Sequence, residues 1–578
     1  MDRHWHDQSP KDLREREELL GLDFGSPDTC IDGVQELLDH DGTLFPNLKL
    51  PIIPSYEILD GLAAYDSHSC SWNLPDISRS PPGSKVQSEM KLAIFFNIIC
   101  RDIAAITGHK QLRTWNVGFC DTILEGSPIR QKPDIILVDV AKETPITWTS
   151  VRAITEITTQ EPKIISNTVL DKSYIILTTQ PDRVFVPILS VWGNFHFRIT
   201  VTDRQGQLRS HVFSLSELCL PDSMRFLRLM IGFCFAPKPV VGYDPTMLAD
   251  EWDDITYIDW HATRVWEVEY EAKTYVLNDG WIEVSRPNAE HTLLADLKGI
   301  AGVAQFFCGD DVYVDGVKLT TDIIQKGEWG TKQRVRVRRR VVSSSIGDHI
   351  ASFRSKRELI SAFRDIATTL KELYLKDLVH RDISYNNILL LRSEDRESEN
   401  LRVGLLIDLE YPVTLSQSHA LAPGSRTGTA PFMAIELLVK RIKIRHAPHH
   451  DLESLVFVLI YICTNFSGPG AIRSQQELQQ FSSIPLSKWF KTSNSLRDVG
   501  AAKLGAVAEL DDLLFPYFAP YFHDLKACIR RLSDAIYSHS GTPRPVSHDI
   551  AIGILNETLD QFSTPDTQTL LVFTTTAL

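Results

Sequence analysis

The run LVHRDISYNNILL, residues 378–390, constrains this chain more than any other stretch of its 578 residues. It sets His380, Arg381 and Asp382 ahead of Asn387. Apolar residues flank that group, Leu378 and Val379 before it and Ile388, Leu389 and Leu390 after it. The pattern predicts two short buried strands that bracket an exposed polar turn. Such a turn gathers several polar side chains on one bend. Taken alone, Asp382 is an ordinary loop aspartate, so its meaning depends on the segments downstream of it in the chain.

The next segment is GLLIDLEYP, residues 404–412, where Asp408 ends an apolar run. Leu409 and Glu410 come after it, and the lack of a glycine there removes the backbone freedom that lets a turn of this kind flip. Then RTGTAPFMAIELL, residues 426–438, ends in Ala434-Ile435-Glu436-Leu437-Leu438. Asp451, in HHDLESLVFVLIYI, opens a strongly apolar segment that reads as a buried helix. In this order the four segments resemble the H-R-D-x-x-x-x-N, D-F-G and A-P-E series of protein kinases, and HRDISYNNIL, LIDLEYP, RTGTAPFMAIELL and HDLESLVFVLIYI resemble the fungal-type protein kinase family. The specific part of the match runs over residues 370–465.

The resemblance implies an α+β fold: a bilobal protein kinase-like domain with a β-rich small lobe and a helical large lobe, preceded by a mixed α/β domain. It implies ATP and Mg2+ as cofactors and a protein substrate phosphorylated on Ser or Thr. Asp382 is then the catalytic residue, with Arg381 and His380 beside it, and Asn387 and Asp408 are the metal ligands. Glu436 and Asp451 are structural anchors, Glu436 pairing with Arg530, Arg531 or Arg544 and Asp451 lying beneath the catalytic loop.

The nucleotide-binding part departs from the kinase pattern. The family's third-strand V-L-K-D-x-W corresponds to Val276-Leu277-Asn278-Asp279-Gly280-Trp281, so Asn278 stands where a phosphate-binding Lys is expected. Lys273 is the nearest cation, and side-chain alternation along a strand sends it to the other face. Glu290 opens AEHTLLADL, a helical pattern with Leu293, Leu294 and Leu297 on one face, and is placed as the Glu that would pair with that Lys. The expected glycine-rich loop falls on DWHATRVWEV, residues 259–268, which contains no glycine. A crippled nucleotide site leaves a second reading open, that of a pseudokinase serving as a binding or scaffolding module.

Composition limits the alternatives. Lys plus Arg number 60 against 74 Asp plus Glu, a net charge of −14 that disfavours non-specific binding to nucleic acid or to anionic membranes. Nine cysteines without a C-x-x-C pair predict reduced thiols in the cytoplasm or nucleus rather than a disulfide framework or zinc site. The charged N-terminal stretch lacks the apolar core of a signal peptide, and the longest apolar run, Leu455 to Cys463, is too short to cross a membrane. Punctuation by proline and glycine predicts an irregular arm over 1–85 and a mixed α/β domain over 86–240, and the resemblance implies a small lobe over 250–345, a large lobe over 346–560 and a tail over 561–578. Within 86–240 the expected elements are a helix from Ser88 to Gly108 and strands at 133–140, 150–158, 172–180, 185–193 and 195–206.

Two further patterns stand apart. Pro133-Asp134 followed by Glu156-Ile157-Thr158 resembles the P-D-x(n)-(D/E)-x-K pattern of restriction-endonuclease-like folds, with Thr158 in place of the Lys, which implies a degenerate fold without catalysis. In KQRVRVRRRVV, residues 332–342, a strand would place Arg334, Arg336, Arg338 and Arg340 on one face, and the plain expectation is a solvated stripe.

Overall fold

The computed structural model describes residues 50–562 apart from intervening segments, among them 159–166, 248–256, 324–334, 415–428 and 538–544. Residues 1–49 of the arm expected over 1–85 lie outside the described residues, as does Arg544. The chain mixes helices and sheets and divides into two compact units. The first comprises 1–266, 278–285 and 310–340, and the second 267–277, 286–309 and 341–578. Residues 250–345 are thus shared between the two. No helix among the described residues is long and apolar enough to cross a membrane.

The first unit is built on a seven-stranded sheet. Helix α1 (Lys85–Thr107) leads into strands β1 (Arg113–Asn116), β2 (Ile135–Asp139) and β3 (Ala153–Thr158), helix α2 (Asn167–Thr179), then β4 (Phe185–Trp192) and β5 (His196–Asp203), and helix α3 (Leu220–Cys234) comes next. Strands β1, β2 and β3 pair antiparallel in that order, β3 pairs parallel with β4, and β4 pairs antiparallel with β5. The parallel pair needs a crossover, which α2 supplies. Both faces of the central strands are covered, so β4 is buried along its whole length rather than alternating. One core joins Phe96 and Ile103 of α1 with Phe226 and Met230 of α3 beneath Leu137 and Leu189, and the other joins Ile175 and Ile176 of α2 with Ile136, Ile154 and Ile188.

Of residues 172–180, expected as a strand, all but Gln180 belong to α2. The run Tyr174-Ile175-Ile176-Leu177-Thr178-Thr179 is rich in β-branched and aromatic side chains and carries a strand signal locally. Tertiary packing overrides it: Ile175, Ile176 and Leu177 are fully buried against the sheet, and the hydroxyls of Thr178 and Thr179 bond back to helix carbonyls of Tyr174 and Ile175.

Strands β6 (Tyr257–Trp260) and β7 (Thr263–Tyr270) form an antiparallel hairpin, followed by β8 (Lys273–Glu283), helix α4 (Glu290–Asp296) and strands β9 (Phe306–Asp311) and β10 (Arg336–Ser343). Of the arginine stripe, Arg334 lies outside the described residues and Arg336 is half-buried, while Arg338 and Arg340 pair with buried aspartates rather than facing solvent. Arg338 is buried and makes a two-pronged contact to Asp279 at 2.9 and 2.7 Å, while Arg340 reaches Asp244 at 2.8 Å and Asp279 at 3.3 Å. Both carboxylates lie in the first unit, as do the two arginines. Planar two-point pairing and burial, rather than hydration, account for this run of arginines.

In the second unit, helix α5 (Lys356–Leu375) precedes strands β11 (Leu378–Val379), β12 (Ile388–Leu391) and β13 (Gly404–Leu406), then helices α6 (Ile435–Val439), α7 (Pro448–Asn465), α8 (Leu496–Ala508), α9 (Lys526–Ile536) and α10 (His548–Gln561). Ser355 caps α5 by accepting from the Glu358 N–H at 3.1 Å. Helix α7 starts on Pro448, which is pre-shaped for the first helical turn, and it is apolar on nearly every side because it is the spine of this core. Strand β13 passes so close to α5 that a Cβ added at Gly404 would lie 2.4 Å from the Ala362 carbonyl oxygen, so only glycine fits there.

Candidate active site

The two short strands expected around the polar turn are present. Val379 of β11 pairs with Val413, and Ile388 of β12 pairs with Leu406 of β13. Between them the backbone bends sharply, with Arg381 at φ +74°. A non-glycine residue in this region persists only where its surroundings hold it. Asp451, in the first turn of α7, does so: its carboxylate accepts from the His380 N–H at 2.8 Å and from the Arg381 N–H at 3.1 Å. The His446 ring meets the same carboxylate at 2.8 Å. Burial raises the Asp451 pKa, but His446, His380 and the donated hydrogen bonds outweigh it and hold the group below the ordinary aspartate value.

His380 is fully buried and links two loops. Its Nε2 lies 3.1 Å from the Ile407 carbonyl, which can only accept, so Nε2 carries the proton and Nδ1 accepts from the Asp382 N–H at 3.3 Å. Burial lowers its pKa, which agrees with a neutral ring in this one tautomer. Asn387 completes the turn by donating its amide nitrogen to the Asp382 carbonyl at 2.9 Å. That bond fixes the orientation of the amide and leaves Oδ1 as the atom a cation would meet. The Asn387 carbonyl accepts from the Ile407 N–H at 3.0 Å, so Asn387 is tied to the residue preceding Asp408. Asp408 itself is half-buried and has φ +68°, a conformation that Asp tolerates better than most residues.

The Asp382 carboxylate is held from the far side. Its Oδ1 accepts from both the amide and the hydroxyl of Thr429, each at 2.9 Å. Thr429 lies in RTGTAPF, at the head of the third kinase-like segment, yet nothing in spacing alone marks it as a contact of the aspartate. Just beyond it, Lys503 of α8 is fully buried beneath the segment, donating to the Met433 carbonyl at 2.6 Å with its ammonium 4.1 Å from the centre of the Phe457 ring. Burial pushes that amine well below the ordinary lysine value. Glu453 of α7 accepts from the Ile435 N–H at 2.8 Å and from the Tyr537 hydroxyl at 2.7 Å, and burial pushes its carboxyl up to about 7. Neither buried group is legible in the sequence, because a charged residue inside an apolar helix pattern reads as a surface position.

Glu436 meets histidines. Its carboxylate lies 3.1 Å from His450 Nε2 and 3.7 Å from His449 Nε2. Arg530 pairs instead with Asp511, and Arg531 with Glu557 at 2.6 Å. His450 Nδ1 accepts from the Ala447 N–H at 3.0 Å, so the Nε2 proton is directed at Glu436.

Asn278 falls in β8 within the first unit, next to Asp279 of the arginine network, whereas Glu290 opens α4 in the second unit and is buried. Leu293, Leu294 and Leu297 pack into the core of the second unit, as their helical spacing predicts. The site gathered within one unit thus consists of His380, Arg381, Asp382, Asn387, Asp408, Thr429 and Asp451.

A search of curated proteins finds no match. The family model described as fungal protein kinase matches residues 132–261 and 256–463, more than half of the chain, and it spans both the turn from His380 to Asn387 and the stretch of the first unit that carries β2, β3 and α2. The chain belongs to the fungal protein kinase family.

Proposed function

We propose that this protein moves the γ-phosphoryl group of ATP to a Ser or Thr hydroxyl of a protein substrate, within a bilobal kinase-like domain formed by a small lobe over 250–345 and a large lobe over 346–560. The observation that carries the reading is the treatment of Asp382. One carboxylate oxygen is engaged by Thr429, which leaves Oδ2 to accept the hydrogen bond, and then the proton, of an incoming hydroxyl. Arg381 and His380 position this aspartate through the backbone bonds to Asp451 and the His380 ring.

The donor set suits Mg2+, a hard cation that prefers carboxylate and amide oxygens. Asp408 and the Oδ1 of Asn387 would hold it, and when bound it would neutralise charge on the nucleotide phosphates. The Asn387 orientation fixed by its bond to the Asp382 carbonyl supports this role. Family membership supports kinase chemistry in general and a protein substrate as its acceptor.

Asn278 favours a second reading. With no charge at the position of the expected Lys and no glycine in residues 259–268, nucleotide binding is weakened, and a pseudokinase that binds partners without transferring phosphate fits those two departures. Incubation of the full chain with γ-labelled ATP, Mg2+ and a mixed Ser/Thr peptide substrate separates the two. Label transfer by the wild type and its loss in Asp382→Asn supports the enzyme, and equal background in both supports the pseudokinase.

A further inference from the structure

Lys503 sits in α8 with none of its surface exposed, and its ammonium reaches into the segment that carries Thr429. It donates to the Met433 carbonyl at 2.6 Å and to the Ala430 carbonyl at 3.4 Å. The Thr429 carbonyl is taken from inside the turn, by the N–H groups of Phe432 at 2.8 Å and Met433 at 3.2 Å. Thr429 spends its own N–H and hydroxyl on Asp382 Oδ1. One short turn, residues 429–433, is therefore gripped by Asp382 at its head and by Lys503 at two of its carbonyls.

The surroundings fix where that ammonium stands. The ring centres of Phe457 and Trp489 lie 4.1 and 5.3 Å from Nζ, and the two rings meet edge to face. Aromatic faces attract a cation. Three residues earlier in α8, a Cβ added at Gly500 would come within 2.6 Å of Val439 and 2.8 Å of Leu438, so α8 lies directly against α6, which continues the same segment. Stability does not account for the lysine. Taking an ammonium out of water is costly, and apolar residues of similar volume in place of buried charges are often neutral or stabilising. What an apolar side chain cannot do is hold two carbonyls of one turn at once.

We propose that Lys503 is a positioning residue for phosphoryl transfer: by holding the Ala430 and Met433 carbonyls it fixes the turn that presents Thr429 to the Asp382 carboxylate. The inference rests on the reading of Asp382 as the residue that orients the acceptor hydroxyl. Lys503 touches neither substrate nor reacting atoms and acts through Thr429 alone. Releasing the two carbonyls lets the turn shift, and Asp382 then loses the grip on Oδ1 that leaves Oδ2 facing the hydroxyl.

The test measures initial rates and hydrogen–deuterium exchange on the full chain carrying Lys503→Met, which keeps an unbranched stem and removes the donor. The expected result is a kcat lowered roughly tenfold or more, with KM for ATP held within about twofold. Exchange across residues 429–433 should quicken by roughly tenfold, because an amide less firmly held opens more often. Combining Lys503→Met with Thr429→Val should cost little beyond the slower single variant, since residues that act through one contact are not additive. Where Lys503→Met melts too low to assay, Lys503→Gln, polar but on a shorter stem, takes its place with the same expectations. Transfer by the wild type with kcat and exchange unchanged in the variant overturns the positioning role alone, as does a double variant whose losses multiply. A lowered melting temperature with kcat kept marks a core contact only and overturns it too. No transfer by the wild type overturns the reading of Asp382, and the positioning role with it.

Discussion

Thr429 grips one oxygen of Asp382 twice, with its amide and its hydroxyl each 2.9 Å from Oδ1. The amide contact depends on the fold, but the hydroxyl contact can be deleted. Thr429→Val keeps the shape and removes one charge-assisted hydrogen bond, worth about 1.5 to 3 kcal/mol. If Asp382 orients the acceptor hydroxyl, kcat should fall by roughly 10- to 100-fold with little change in KM for ATP. Thr429→Ser should restore most of the rate. Initial-rate measurements on the three proteins check this, and equal kcat in the Val variant would remove Thr429 from the mechanism.

Asp451 performs its work through the backbone of the catalytic turn. Its two oxygens, themselves buried, serve the N–H groups of His380 and Arg381 and the ring of His446. Asp451→Ala leaves those donors buried without an acceptor and frees the left-handed Arg381. The expected cost is about 3 to 5 kcal/mol, the range for breaking a buried charged network. A clear fall in melting temperature with complete loss of transfer is the outcome to look for, and an unchanged melting profile would mean that the loop is held some other way.

Glu436 is tested at its histidine contacts. Its carboxylate meets His450, whose pKa burial and the neighbouring His446 and His449 push down to about 3, and lies near the His449 ring. A hydrogen bond from a neutral donor to a partly exposed carboxylate contributes about 1 kcal/mol. Glu436→Ala should therefore lower stability by at least that amount. An unchanged midpoint in chemical denaturation would remove these contacts from the stability of the second unit.

Glu453 gives the second unit a pH dependence of known sign. Its folded pKa of about 7 lies above the ordinary value of 4.5, so the folded chain binds the extra proton. The contribution is complete below about pH 4.5, declines as pH rises, and is gone once the buried carboxyl ionises above pH 7, a total of about 3 kcal/mol. Glu453→Gln removes that slope while keeping acceptors for the Ile435 N–H and the Tyr537 hydroxyl. Melting curves from pH 5 to 9 should show the variant gaining on the wild type as pH rises, and parallel profiles would refute the assignment.

The catalytic turn is readable in sequence because its chemistry is local: His380 to Asn387 span a single bend, and the apolar residues on each side announce the strands that hold it. Its supports are not readable. Thr429, Lys503 and Glu453 reach the site across 47 or more residues or from other helices, and sequence spacing carries no information about such contacts. Asp451 stands where its position before an apolar helix puts it, although its carboxylate serves the turn rather than capping its own helix. The reverse failure occurs at α2, where a run of β-branched residues imitates a strand. Arg338 and Arg340 show the same limit for charge, because an alternating arginine pattern looks identical whether it faces water or buried aspartates.

Asn278 offers the sharpest test of the nucleotide site. It lies on β8, and the proposed reading sets it where the family pattern has a Lys against the nucleotide phosphates; a neutral amide there forgoes charge-assisted bonds that are roughly twice as strong as neutral ones. Wild-type ATP affinity should accordingly be weak and should depend strongly on Mg2+, since Asp408 and Asn387 would act through the metal. Introducing the charge by Asn278→Lys should tighten ATP binding by roughly tenfold, equivalent to about 1.4 kcal/mol, and should lessen the dependence on Mg2+. Calorimetric titration of both proteins, with and without Mg2+, measures each quantity directly. Tight, metal-independent binding by the wild type, with no gain in the variant, would mean that another cation such as Lys273 serves the phosphates. The damaged-site reading would then fail, while the assignment of Asp382 would stand on its own geometry.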